Sequence, residues 1–403
     1  MAKINAYSAL YSLPSRGRTM RRRWIWFAAF AVIAVGGAYW LLMLPPRCEA
    51  TVAVPRLHIV KLHSKARRSG MLVGVQPFMQ PVDYACAERF EQKLRAYMDT
   101  LRATGCLRES TIVVFPEYIG TWLVLLDEAV GTYQAKTLQG ALTWAVLRQP
   151  LSFWRAYRQA KKEGWTDPSA VAAFRLKAPL MAKAFHQTFA KLARTYKVYI
   201  VAGSIVLPGA YIGADSLSIQ LDAPLENISL LYHPDGRPDA QVVRKAFPIA
   251  EELGFMRPGR VEELPVYETP LGRLGVLICA DSWFPQSYEA LGDIDLLAVP
   301  SYLMGAGCWE KPWRGYSGWE APSDVDSVAL TEGQAWLRYA MGGRLAQYDT
   351  NAIGINVFLK GPFWDLGADG RLTSVLPRQG TICSEADVVC VELQNQSSEH
   401  MPF

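Results

Sequence analysis

The chain has 403 residues, half of them hydrophobic and a fifth charged, which supports a large core and excludes an intrinsically disordered chain. A net charge of +5 is small for this length, and with no nucleic-acid-binding signature it argues against a DNA or RNA partner. Five histidines and seven cysteines, with no CxxC and no Cys/His spacing, lead us to expect no metal and no cofactor. The odd cysteine count leaves at least one thiol unpaired. Cys383 and Cys390 are near enough in sequence to pair, although sequence alone does not decide it.

Residues 1–23 read as a basic tail containing Lys3, Arg16, Arg18 and the run Arg21 to Arg23. Trp24 to Leu44 carries no charge, and as a helix its 21 residues would reach about 30 Å, the thickness of a hydrocarbon core. Trp24, Trp26, Tyr39 and Trp40 lie towards its ends, as in an interfacial aromatic belt. The arginines before this segment outweigh Arg47 and Arg56 after it, although Lys61, Lys65, Arg67 and Arg68 blunt the bias. The expectation is a single-pass membrane protein with a cytoplasmic N-terminus and everything after residue 45 on the outer, periplasmic or extracellular, face. Residues 45–70 read as a linker, 71–394 as the folded domain and 395–403 as a tail.

From Met71 the pattern alternates strand and helix. Met71–Gln76 is a strand, Asp83–Thr104 an amphipathic helix ending at Gly105, and Thr111–Pro116 a buried strand. Residues 120–195 are mostly helical. Within them, 138–162 mixes large apolar side chains with Arg148, Arg155, Arg158, Lys161 and Lys162, and Pro150 must break it. Such a helix suits a membrane interface or an ordinary solvated face. Strands follow at 197–204, within 215–233 and at 241–247, with a turn at 233–239. Asn227-Ile-Ser229 and Asn395-Gln-Ser397 match glycosylation acceptors.

Residues 272–301 read as strand, sharp turn, helix, strand. Leu274–Ile278 is apolar, Cys279 stands at its end, Asp281 and Ser282 can cap the helix at 284–291, and Asp295–Val299 is the next strand. A cysteine where a buried strand turns into a helix is where a nucleophile belongs, because nearby N–H groups and a positive helix end favour thiolate. A Trp/Gly-rich loop (303–323), a helix at 327–348 and strands at 351–358 and 387–393 complete the chain.

Three strand ends thus each present a reactive side chain: Glu117 in VVFPEY, Lys245 in VVRKAFP and Cys279 in LGVLICADSWFP. The set suits acyl transfer. Cys279 would attack a carbonyl, Glu117 would take and return the proton, and Lys245 with the Ala280 N–H would hold the oxyanion. On these motifs, with VAGS at 201–204, HPDG and RK within 233–245 and VPS at 299–301, the sequence resembles the carbon–nitrogen hydrolase (nitrilase) superfamily over roughly 71–394. The resemblance implies a four-layer α/β/β/α sandwich, here preceded by one transmembrane helix. It also implies a homodimer and a catalytic triad of Glu117, Lys245 and Cys279. Many members add a second Glu after the lysine, for which Glu252 is favoured over Glu251.

The resulting expectation is a membrane-anchored amidase-type hydrolase that cleaves a non-peptide amide through a thioester. Tyr118, Trp283, Tyr302 and the 303–323 loop would line its pocket and suit an apolar or aromatic substrate. Two alternatives stand beside it. One is an N-acyltransferase resembling the apolipoprotein N-acyltransferases, with an acyl donor in the bilayer. The other is a membrane-tethered assembly protein, for example in conjugal transfer, on the same scaffold.

Overall fold

The computed structural model describes residues 16–46, 48, 52, 56–326 and 328–395. Residues 1–15 of the basic tail and residues 396–403, which include most of the second glycosylation match, lie outside them. The chain divides into two units, Met1–Leu44 and Pro45–Phe403. In the first, helix α1 (Arg16–Leu42) begins inside the expected tail and ends two residues before the expected end of the apolar segment. Its stretch Trp24–Leu42 is long and apolar enough for a membrane span or a signal sequence.

The second unit runs in chain order as β1 (Ile59–Ala66), β2 (Gly70–Val75), α2 (Ala87–Ala103), β3 (Thr111–Val114), α3 (Val130–Gln134), α4 (Leu138–Arg148), α5 (Pro150–Lys162) and α6 (Pro168–Tyr196). It continues with β4 (Tyr199–Val201), β5 (Ile205–Pro208), β6 (Tyr211–Gly213), β7 (Ser216–Ser218), β8 (Leu225–Ser229), β9 (Leu231–Tyr232), β10 (Val243–Arg244) and α7 (Ala250–Leu253). The last part comprises β11 (Val266–Thr269), β12 (Gly272–Val276), α8 (Pro285–Leu291), β13 (Leu296–Ser301), α9 (Glu332–Tyr339), α10 (Met341–Tyr348), β14 (Ile353–Phe358), β15 (Leu372–Leu376), β16 (Gly380–Ser384) and β17 (Val388–Asn395).

Among the described residues two six-stranded sheets form, ordered β1-β17-β2-β3-β4-β9 and β11-β12-β13-β14-β15-β16, with a small sheet β10-β8-β5 beside them. Successive residues of β3 explain the layering. Val113 and the following Phe115 pack against α2 and α6 through Phe90, Leu94, Phe185 and Phe189. Ile112 and Val114 point the other way, into a core shared with Leu274, Val276, Ile355 and Val357 of the second sheet. A Cβ on Gly74 would stand 2.6 Å from Ile355 and 2.7 Å from Val357, so glycine is what lets the two sheets approach there. Helices α8 and α10 cover the far face, where Gly275 meets Leu291 and Gly354 meets Leu345 and Met341. The architecture is the expected four-layer α/β/β/α sandwich.

Several sequence expectations change. Residues 59–66, read as linker, form β1, paired in parallel with β17 from Ile59↔Val388 to Ala66↔Asn395. The exposed Lys61, His63 and Lys65 alternate with the inward-facing Leu62, Ser64 and Ala66, which marks a charged edge strand rather than a linker. The helix expected from Asp83 starts at Ala87, because Pro81–Tyr84 forms a separate 3₁₀ turn in which Asp83 accepts from the Gln80 N–H (2.9 Å). Pro150 divides 138–162 into α4 and α5, and the expected 327–348 helix is broken at Ala340. Strands β15 and β16 were not expected from sequence. The Cys383–Cys390 pairing does not form. Cys390 bonds Cys106, Cys48 bonds Cys86, and Cys279, Cys308 and Cys383 are free thiols.

Candidate active site

The three reactive residues come from three different strands. Glu117 follows β3, whose ladder continues one residue past the strand as Phe115 N–H donates to Val201 O (3.0 Å). The turn after it is held by the VAGS segment. Ser204 Oγ accepts from the Tyr118 N–H (2.9 Å), and Gly203, at φ +67°, lies so close to the Pro116 carbonyl that a Cβ would stand 2.1 Å from it. Tyr118 itself is held at φ +62°, a region non-glycine residues enter only when their surroundings impose it. Lys245 directly follows β10, and its N–H donates to Asn227 O on β8 (2.9 Å).

Cys279 opens a 3₁₀ turn, Cys279–Trp283, at the end of β12 with φ +52°. This is a strained strand-to-helix elbow that lifts one side chain clear of the sheet. Asp281 and Ser282 do not cap α8. The buried Asp281 carboxylate instead accepts N–H bonds from Ile278 (3.2 Å), Ala246 (2.9 Å) and Phe247 (2.8 Å). It thereby ties the cysteine elbow to the two residues after Lys245. Ser282 Oγ donates to Cys279 O (2.7 Å).

These side chains converge. Lys245 Nζ donates to Glu117 Oε1 (2.8 Å) and to Glu252 Oε1 (2.9 Å). Glu117 Oε1 also accepts from Asn227 Nδ2 (2.9 Å), and its carboxylate is in hydrogen-bonding reach of the Cys279 thiol. Cys279 Sγ lies 3.7 Å from Tyr302 O. Tyr118 OH donates to Glu252, and the Tyr118 and Tyr302 rings lie 5.6 Å apart beside the cluster. Glu117, Lys245, Glu252 and Cys279 are 1, 2, 4 and 7% exposed, so their charges interact with little screening by water.

Glu251, the competing acid, is exposed and accepts from Ser317 Oγ (3.3 Å). Trp283 packs into a different aromatic cluster, with ring centroids 5.8 Å from Trp313, 5.6 Å from Tyr316 and 4.9 Å from Trp336. Sequence reasoning had Asn227 as a glycosylation match. It is 1% exposed in β8 and bound to Glu117, so in the folded chain no glycan fits there. Its place on the middle strand of the β10-β8-β5 sheet, opposite Val206 and level with Lys245, was not legible without the strand register.

Burial pushes the Glu117 carboxyl up, and Lys245 opposes that shift. Burial likewise pushes the Cys279 thiol up, and the neighbouring Glu117 charge adds to it. Burial alone would lower Lys245, but Glu117 and Glu252 overcome it and hold the ammonium well above its ordinary value. The resting arrangement is therefore a neutral thiol, a carboxylate of raised basicity within reach of it, and a fixed cation. Such a set can move a proton off the sulfur as it attacks and can hold negative charge that develops on an adjacent oxygen. The one group among the described residues whose spacing suggests metal binding, Cys48, Cys86 and Glu88, contains the two sulfurs of a disulfide, which are not free to ligate.

The carbon-nitrogen hydrolase family profile matches residues 75–320, more than half of the chain, and the protein belongs to that family. Among solved structures it is similar to an amidase of the nitrilase superfamily from Nesterenkonia AN1, at 14% identity and a TM-score of 0.49, covering 83% of this chain and 95% of that one. It is also similar to Saccharomyces cerevisiae Nit3, a member of branch 10 of the nitrilase superfamily, at 15% identity and a TM-score of 0.46, covering 84% of this chain and 97% of that one. No curated protein matches it significantly.

Proposed function

We propose that the protein is a membrane-anchored hydrolase that cleaves a non-peptide amide with Glu117, Lys245 and Cys279, and with Glu252 as the residue that holds Lys245. The observation that carries this reading is the buried Glu117–Lys245–Glu252 ion cluster in reach of a cysteine at a strained elbow. Cys279 Sγ attacks the amide carbon while its proton passes to Glu117. Lys245, with the Ala280 N–H, stabilises the oxyanion. The C–N bond then breaks as Glu117 returns the proton to the leaving nitrogen, which leaves a Cys279 thioester. Water, deprotonated by Glu117, attacks the thioester and releases the acid and the thiol.

On this reading α1 is the anchor and the second unit faces an oxidising compartment. The Cys48–Cys86 and Cys106–Cys390 bonds support that side, since structural disulfides persist there and are rare in a reducing cytoplasm. The aromatic rings of Tyr118 and Tyr302 beside the cluster, with Phe363 6.2 Å beyond Tyr302, favour a second outcome for the same thioester, transfer of an apolar acyl group to an amine.

Fluoroacetamide is a suitable probe, since its acetamide moiety adds to the active-site cysteine of a Nesterenkonia amidase variant. We expect the full chain to gain one acetamide group on Cys279 and to release ammonia from short acyl amides. Ammonia release at the wild-type rate from Cys279→Ala, or labelling that spares residue 279, would sink the assignment. Incubation with phospholipid followed by intact-mass measurement separates the outcomes, because only the transferase leaves a fatty acyl mass on Cys279.

A further inference from the structure

The helical segment between Glu117 and β4 carries a surface that the proposed chemistry does not use. Leu142, Leu147, Leu151 and Trp154 of α4 and α5 are 39, 45, 74 and 57% exposed. Leu151 and Trp154 are three apart on α5 and share one of its faces, and Leu147 is exposed near the end of α4, before the Pro150 break. The exposed surface of α5 then turns basic through Arg155, Arg158, Lys161 and Lys162, none of which makes an ion pair among the described residues. The opposite side of α5 packs on α6, where Ala160 and Val171 are buried together with Trp165. An amphipathic helix with an apolar end, an indole and unpaired cations is complementary to a surface that is apolar below and anionic above.

Two connections within the second unit give this surface a context. The Cys48–Cys86 bond fastens the chain that leaves α1 to the residue before α2. Ala85, its neighbour, accepts the Asp127 N–H (3.1 Å), three residues before α3 and the way into α4. On the other side, a line of rings runs from the candidate site to the same helices. Tyr302, whose carbonyl lies beside Cys279, is 6.2 Å from Phe363, which is 4.9 Å from Trp122, which is 5.8 Å from Trp364. Trp364 Nε1 donates to Thr132 O of α3 (3.1 Å), and the next residue, Asp365, accepts the Leu138 N–H at the start of α4 (2.8 Å).

We propose that the exposed α4–α5 surface is a second membrane contact that binds the interface of a bilayer containing anionic phospholipid. Leu147, Leu151 and Trp154 would enter the headgroup boundary, and Arg155, Arg158, Lys161 and Lys162 would lie over the phosphates. The proposal rests on the reading of α1 as a retained anchor and is independent of which amide is cleaved.

The test uses the full chain in phosphatidylcholine vesicles with and without a quarter phosphatidylglycerol. One variant carries the photocrosslinker p-benzoylphenylalanine in place of Leu151, and a control carries it in place of Leu221, an exposed leucine after β7. Phospholipid adducts are expected at position 151, at a yield roughly tenfold above position 221 and rising with phosphatidylglycerol. The double change Arg155→Gln with Arg158→Gln should lower that yield by roughly an order of magnitude while fluoroacetamide still labels Cys279. Equal yields at the two positions, or no response to anionic lipid, would overturn the proposal. Release of the chain by alkaline carbonate would overturn the anchor instead, and the comparison of positions 151 and 221 is read independently of it.

Discussion

The two concentrations of charge in this molecule are built on opposite plans. Around Cys279, two carboxylates and one ammonium are almost completely buried, every one of them is paired, and they come from three elements: the ends of β3 and β10 and helix α7. On α5, four exposed cations make no ion pair among the described residues. The first arrangement exists only because the pairing offsets the large cost of dehydrating ions, so it is intolerant of any single loss. The second costs little to expose and little to change, and its effects are additive and screened by salt. Chemistry that needs a fixed field belongs to the first, and reversible adhesion belongs to the second.

Removing the cation of the buried cluster should break this contrast most severely. Lys245→Met leaves Glu117 and Glu252 facing each other without compensation. We expect a stability loss of about 3–5 kcal/mol in urea titration, together with loss of ammonia release. A neutral residue at one of the α5 cations should leave stability within about 0.5 kcal/mol. Equal sensitivity at the two places would refute the distinction.

A sharper change keeps the packing and removes only the proton acceptor. Glu117→Gln should slow amide turnover by about 10²–10⁴-fold. It should also change the pH profile. In the wild type the rate of Cys279 alkylation should rise as Glu117 ionises, and since burial raises that carboxyl the rising limb should sit above the ordinary carboxylate range. In the Gln variant that limb should vanish, and alkylation should wait for the thiol itself to ionise, at more alkaline pH because burial raises Cys279.

How legible the molecule was in its sequence follows the same division. Glu117 and Cys279 could be placed at strand ends because each closes an apolar run, and apolar runs report buried strands. Lys245, preceded by Arg244, could be placed only by the short VV stretch and the Pro248 after it. Glu252 is favoured over Glu251 beside the lysine, but only the turn of α7 decides which acid points inward. Asn227 and Asp281 were misread, one as a glycosylation match and the other as a helix cap, because their partners stand on other strands: Asn227 lies 110 positions from Glu117, and Asp281 lies 35 positions from Ala246. Trp283 shows the converse. An aromatic next to a nucleophile suggests a pocket wall, yet its ring satisfies the core formed with Trp313 and Trp336. The disulfides followed the same rule, since Cys106 and Cys390 are 284 positions apart and meet only through the packing of α2 on the first sheet.

Asp281 offers the smallest and most specific test, because it joins the elbow of Cys279 to the strand end of Lys245 without touching either reactive atom. Burial raises its carboxyl to about 7, with Lys245 opposing the shift, against an ordinary value near 4. Between those two values the folded chain holds a proton that the unfolded chain has released. Stability should therefore be higher at the acid end of that window and fall as pH rises through it. Asp281→Asn has no such proton. Its amide oxygen can still accept from Ala246 and Phe247, but its NH₂ would face the Ile278 N–H, so one bond is lost at a cost of about 1–3 kcal/mol. Thermal unfolding at pH 4.5 and 7.5 should show a lower melting temperature for the variant at the acid end and a smaller change between the two pH values than in the wild type. The same variant should slow Cys279 alkylation modestly, since the elbow and the lysine then lose part of their common anchor. A pH dependence as steep as that of the wild type would show that another buried group, and not Asp281, carries that proton.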